Sequence, residues 1–136
     1  MIVYNNPIFD QAVIDESQAH FARETDMSMV RVDPVRGVTL GGALYTEYNG
    51  HSVQMHVAGL APNWLNRKLL RQAFEFPFEH LKVKKIFGLV EAANTIALDF
   101  DLHLGFIEEA RIGDVFTSGD MVVLAMYRHN CRFLPK

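Results

Sequence analysis

A lone cysteine, Cys131, is all the thiol chemistry this 136-residue chain has. It excludes an internal disulfide and fits a reducing compartment. A cationic surplus is lacking too. Thirteen Lys and Arg against sixteen Asp and Glu leave a formal charge of −3, so the chain has no general electrostatic affinity for nucleic acid or anionic membrane. No uncharged apolar run nears the roughly 20 residues that span a bilayer, and the longest, Met121 to Tyr127, suits a buried strand. No Lys or Arg precedes Arg23, and the start lacks the apolar stretch of a secretory signal. Internal repeats, low-complexity tracts and Pro/Ser-rich linkers are missing as well. These absences predict a soluble, cytoplasmic protein folded as one domain over residues 1–136. A chain of that size buries roughly 70% of its unfolded surface around a single core. The His residues and Cys131 show no paired metal-ligand spacing, so no metal site is expected.

What is present reads as a mixed α/β pattern. From Pro7 to about Arg23, Ile8, Phe9, Ala12, Val13, Ala19 and Phe21 form an irregular helical stripe. From Val38 onward strands begin. Val38 to Tyr48 and Ser52 to Ala58 flank Asn49-Gly50, a hairpin signal because both turn residues need positive φ. Trp64, Leu65, Leu69, Leu70, Ala73, Phe74, Phe78 and Leu81 then recur at helical spacing, with Asn63 as the expected N-cap and Pro77 as a kink or stop. Ile86 to Val90 is a short apolar run of the kind found in a strand covered on both faces. Asn94 or Thr95 can cap a further helix that Gly105 stops, and Phe106 to Ile112 and Met121 to Tyr127 suit two last strands joined by a polar loop. The predicted order is helix, two strands, helix, strand, helix, two strands.

From Asn94-Thr95-Ile96-Ala97 through Leu102-His103-Leu104-Gly105-Phe106-Ile107-Glu108-Glu109 the chain resembles the GNAT superfamily of N-acetyltransferases. The stretch Trp64 to Phe78, with His80 to Ile86, is similar to the branch in which a Trp-containing helix start replaces a glycine-rich one. Small proteins of that kind are frequent in phage and prophage genomes. The resemblance implies a twisted, mostly antiparallel sheet with helices on both faces, and acetyl-CoA as the acyl donor to an amine. It further implies that the Met55–Gly59 backbone (Met55, His56, Val57, Ala58) and Asn94 hold the pantetheine arm, with Phe100 on the same helix. Where relatives carry glycines beside the cofactor pyrophosphate, this chain has Asn63, Trp64, Asn66, Arg67 and Lys68. The free N–H groups of a helix start favour a phosphate there. A homodimer, common among relatives, is implied too.

Acetyl transfer to an amine needs a neutral nucleophile, a donor for the carbonyl oxygen and a proton for the leaving thiolate. Counted from Asn94, the Tyr that relatives use as acid falls at Asp101, which leaves His103 or a water. His56 and Glu47, on the two hairpin strands, are the candidate bases, acting through water, ahead of Glu91 and Glu109. Each has a plainer reading: Asn94 as an N-cap, Arg67 and Lys68 as a solvated helix face, Trp64 as an anchor, His56 as a structural histidine. A catalytically silent binding protein of the same fold is the alternative function.

Overall fold

The computed structural model describes residues 1–135. Its elements, in chain order, are β1 (Ile2–Tyr4), α1 (Pro7–Ser17), β2 (Met27–Asp33), β3 (Val38–Thr46), β4 (Ser52–Gly59), α2 (Arg67–Glu75), β5 (Lys85–Glu91), α3 (Thr95–Leu104), β6 (Ile107–Phe116) and β7 (Gly119–Tyr127). The strands form one sheet in the order β1-β2-β3-β4-β5-β7-β6. Every neighbouring pair is antiparallel except β4 with β5.

Helices cover both faces, as expected of the mixed α/β class. On one face Val13 of α1 packs with Val30, Val32, Leu44 and Ala58 of the sheet. On the other, Leu69, Ala73 and Phe74 of α2 and Leu104 of α3 join Met29, Tyr45, Met55, Ile86, Leu124 and Met126. Adjacent residues such as Met29 and Val30 are therefore both fully buried, one in each cluster. This double covering explains why β2 lacks an alternating pattern. Reading strands only from Val38 onward missed it, along with the short β1 that pairs Ile2 to Arg31.

Several boundaries differ from expectation. The first helix is capped by Asn6, starts on Pro7, and stops at Ser17 because Gln18 takes a left-handed conformation (φ 56°). Ala19 and Phe21 lie beyond it yet still pack on its cluster, so the apolar stripe outruns the helix. The β3–β4 connection spans residues 47–51, not a two-residue turn. Positive φ falls at Glu47 and Gly50, while the Asn49 carboxamide accepts the His51 and Ser52 N–H groups. The second helix starts at Arg67 with Asn66, not Asn63, as its cap: the Asn66 side chain accepts the Leu69 N–H at 2.8 Å. Pro77 does end the regular helix, in a wide π turn over Phe76–His80. The β6–β7 loop is shorter than predicted, since β6 continues through an irregular stretch between Ile112 and Phe116. The third helix matches expectation at both ends, with Asn94 accepting the Ala97 N–H and Gly105 left-handed at φ 114°.

Candidate active site

The one parallel pair is short. β4 and β5 are in register only at Ser52–Lys85, Val53–Ile86 and Gln54–Phe87. Beyond that point β4 stays paired to β3 and β5 to β7, and the two strands part. The gap is a cleft of about 680 Å³. Met55 to Gly59 form one border and Gly88 to Glu91 the other, with Asn94, Ala97, Phe100 and Asp101 of α3 on one side and Glu16 to His20, at the end of α1, on the other. The β4 border is bare backbone edge, the kind of edge that an extended ligand bearing amides can join.

At the mouth, the chain leaves β4 in a turn fixed by named bonds. Leu60 and Ala61 N–H both donate to the Leu40 carbonyl, and Arg31 Nη1 donates to the Asn63 and Trp64 carbonyls at 2.6 and 3.0 Å. Trp64 lies flat on paired glycines: a Cβ at Gly59 would stand 2.1 Å from Trp64 Nε1, and one at Gly41 2.6 Å from Cε3. The absence of side chains at these two positions is thus what seats the indole, which reaches Phe100 at a ring separation of 6.1 Å.

Among the residues singled out from sequence, Met55, His56, Val57, Ala58, Trp64, Asn94 and Phe100 all line the cleft. Asn63, Asn66, Arg67 and Lys68 are exposed outside it, at the start of α2. Glu47 is exposed in the β3–β4 connection, at the closed end of the β4–β5 pair and away from the gap. His103 is exposed on the last turn of α3, its carbonyl accepting from Arg132. Glu91 lines the cleft and accepts from the Ser118 hydroxyl, whereas Glu109 pairs with Lys85 and Tyr127 on the β6–β7 side. Sequence reasoning missed Arg31 and the Glu16–His20 wall, because nothing local in those segments marks them as neighbours of β4; Gln54 falls on its expected strand without an expected role.

His56 is largely buried, and burial lowers its pKa from the ordinary 6.5 against a smaller upward pull from Asp26. It is therefore neutral at pH 7 and able to accept a proton. Asp101 lines the cleft, and burial raises its carboxyl pKa from 3.8 to about 6. Here the folded state binds the proton more tightly than the unfolded chain. The resulting stabilisation is present below about pH 4 and is lost as pH rises through about 6. Asp101→Asn is accordingly expected to stabilise the fold by about 2 kcal/mol at pH 7.5, discounted for partial exposure, and to leave it unchanged at pH 3.5. Thermal melts at the two pH values check this; equal effects at both would show that desolvation of the charge is not the cause.

No family model and no curated protein sequence matches the chain. Solved structures do. A chimera of the spermidine N-acetyltransferase SpeG from Vibrio cholerae with hSSAT superposes with a TM-score of 0.64 at 21% identity, over 78% of this chain and 69% of that one. The V. cholerae SpeG spermidine/spermine N-acetyltransferase in complex with manganese ions gives 0.62 at 21% identity, over 76% and 65%. A dodecameric spermidine N-acetyltransferase from the same organism, in an intermediate state, gives 0.63 at 22%, over 76% and 66%. The fold is that of the GNAT acetyltransferases. This chain spans about two thirds of the length of those GNAT structures. Among its described residues no group of three or more His, Cys, Asp or Glu is placed to hold a metal ion, and no helix is long and apolar enough to cross a membrane.

Proposed function

We propose that this chain is an acetyl-CoA-dependent N-acyltransferase that moves an acetyl group to a primary amine. The parting of β4 from β5 after Gln54 carries the reading, because it bares the Met55–Gly59 edge over a cleft of about 680 Å³. A pantetheine arm, with its two amides, pairs with that edge as an added strand. The diphosphate lies outside the cleft at the start of α2. There the Asn66 cap uses the Leu69 N–H and leaves the Arg67 and Lys68 amides and side chains at the exposed end. Asn94 stands beside the arm and caps α3 at the same time. The residues lining the cleft include Glu16, Glu91 and Asp101 but no Lys or Arg, which suits an acceptor that arrives as an ammonium ion.

The second reading, a silent binding protein of the same fold, is favoured by Asp101 at the place of the expected acidic Tyr and by the lack of glycine from Asn63 to Leu69. A thermal-shift titration separates the two. Acetyl-CoA at about 100 times its dissociation constant is expected to stabilise the fold by about 2.7 kcal/mol. Asn94→Ala and Arg67→Ala are each expected to reduce the shift, and unchanged affinity in both would discard these contacts. Absence of any shift in the parent protein would favour the silent module. Thiol release with a panel of amines, spermidine among them in view of the solved GNAT structures, then measures turnover. Self-association belongs to the same reading, given the dodecameric SpeG.

A further inference from the structure

Three polar side chains, Thr46, Gln54 and His56, share the α1 face of β3 and β4. Thr46 and Gln54 are opposite each other in the β3–β4 register, and His56 is two residues further along β4. Thr46 and Gln54 are buried, at 3% and 8% exposure. The Thr46 hydroxyl donates to Gln54 Oε1 at 3.3 Å and meets His56 Nε2 at 3.1 Å. A hydroxyl has one proton to give. With that proton directed to Gln54, Thr46 can only accept from the imidazole, so Nε2 carries the ring proton and Nδ1 the lone pair. Thr46 is the ring's polar partner among the described residues, and the ring lines the cleft. Nδ1 is thus the nitrogen left for whatever enters.

We propose that Thr46, backed by Gln54, is a positioning residue that locks His56 in its Nε2–H form, so that Nδ1 takes the proton from the amine acceptor during acyl transfer. This rests on the acyltransferase reading. The ammonium first gives one proton to solvent. The neutral amine nitrogen then attacks the thioester carbonyl carbon, its C–N bond forms as the C–S bond breaks, and the sulfur leaves with the electron pair and takes a proton from water to become the thiol. The second proton lost by the nitrogen passes to Nδ1, and from there to solvent. Tautomer control through the second ring nitrogen is a general device in histidine base catalysis. It matters here because a neutral His56 in the other form would offer Nε2 to Thr46 and present an N–H, which is no base, to the cleft. The other ionisable groups around this ring are Glu16 and His20 from the end of α1, Glu91 from β5, Asp101 from α3 and Asp26 ahead of β2. None of them is hydrogen-bonded to His56.

Long-range ¹H–¹⁵N spectra of the full chain at pH 8 test the lock directly. The parent protein is expected to show His56 protonated at Nε2 and bare at Nδ1, and Thr46→Val to show averaged shifts from both tautomers. In amine acetylation Thr46→Val is expected to lower kcat about tenfold, at the low end of acid–base effects, with KM for acetyl-CoA unchanged. Thr46→Ser, which restores the hydroxyl, should recover both rate and spectrum. A parent spectrum with the proton on Nδ1 would overturn the proposal. So would a Thr46→Val enzyme with unaltered kcat. Failure of every amine to react would instead sink the acyltransferase reading and the proton-transfer role with it, while the spectra still judge the Thr46 lock by itself.

Discussion

Gly88→Leu is expected to fold normally and to lose essentially all stabilisation by acetyl-CoA. Gly88 is on the β5 border of the cleft, paired to Leu124 of β7 and opposite the end of the β4 register. A Cβ there would meet only the Met55 carbonyl, at an ordinary 3.7 Å, and the backbone is not left-handed. A side chain is therefore tolerated by the sheet and projects into the gap. Its branched end would stand where an extended ligand has to pass to reach the Met55–Gly59 edge. The stabilisation of about 2.7 kcal/mol expected for the parent at about 100 times its dissociation constant should fall below about 0.5 kcal/mol. That corresponds to a loss of affinity of roughly a hundredfold. A melt without ligand separates blocked binding from misfolding. If Gly88→Leu binds acetyl-CoA as the parent does, the ligand does not run between β4 and β5.

Asp10→Ala is expected to cost about 3 kcal/mol of folding stability, read as a lower urea midpoint at unchanged slope. The Asp10 carboxylate is fully buried in the first turn of α1, where the helix dipole favours a negative charge. It accepts from Arg23 Nη1 and Nη2 at 3.2 and 2.7 Å and from the Ser28 hydroxyl at 2.7 Å. Truncation leaves the buried Ser28 hydroxyl without its acceptor, which is costly, and removes the carboxylate partner of the half-exposed Arg23, which keeps its bond to Gln11. Asp10→Asn keeps one acceptor for Ser28 and should cost about half as much. The effect reaches the cleft as well, since α1 is the helix whose last turn walls it at Glu16 and Ser17. A loss below about 1 kcal/mol for Asp10→Ala would mean that apolar packing around Val13, rather than this ion pair, seats α1.

Much of this was legible in the residues, and the failures have local causes. The third helix could be bounded because both of its ends are written in side chains: an Asn whose carboxamide takes a free N–H and a glycine that tolerates φ of 114°. β5 could be recognised because it is short and apolar. The second helix began three residues early because Asn63 and Asn66 each stand three residues before a plausible N3 partner. What decides between them is a long-range contact, Arg31 holding the Asn63 and Trp64 carbonyls in a turn, and a helical pattern carries no trace of it. Similarly, Gln18 in the left-handed region ends α1 without a glycine to announce it. Of the site, the β4 and α3 walls were visible, since hairpin and cap signals placed them. The α1 wall and the Thr46–Gln54–His56 set were not, because cross-strand register and helix docking bring them together.

Three rungs, from Ser52–Lys85 to Gln54–Phe87, and the Lys84 N–H donated to the His51 carbonyl just ahead of them join the β1–β4 part of the sheet to the β5–β7–β6 part. Mechanically this is a pair of tongs riveted at one end, whose opening angle is held by the oily packing of α2 and α3 instead of by the ladder itself. An occupant that bonds along one jaw and presses on the other would act as a strut, so loading it would stiffen the whole molecule and not merely fill a hole.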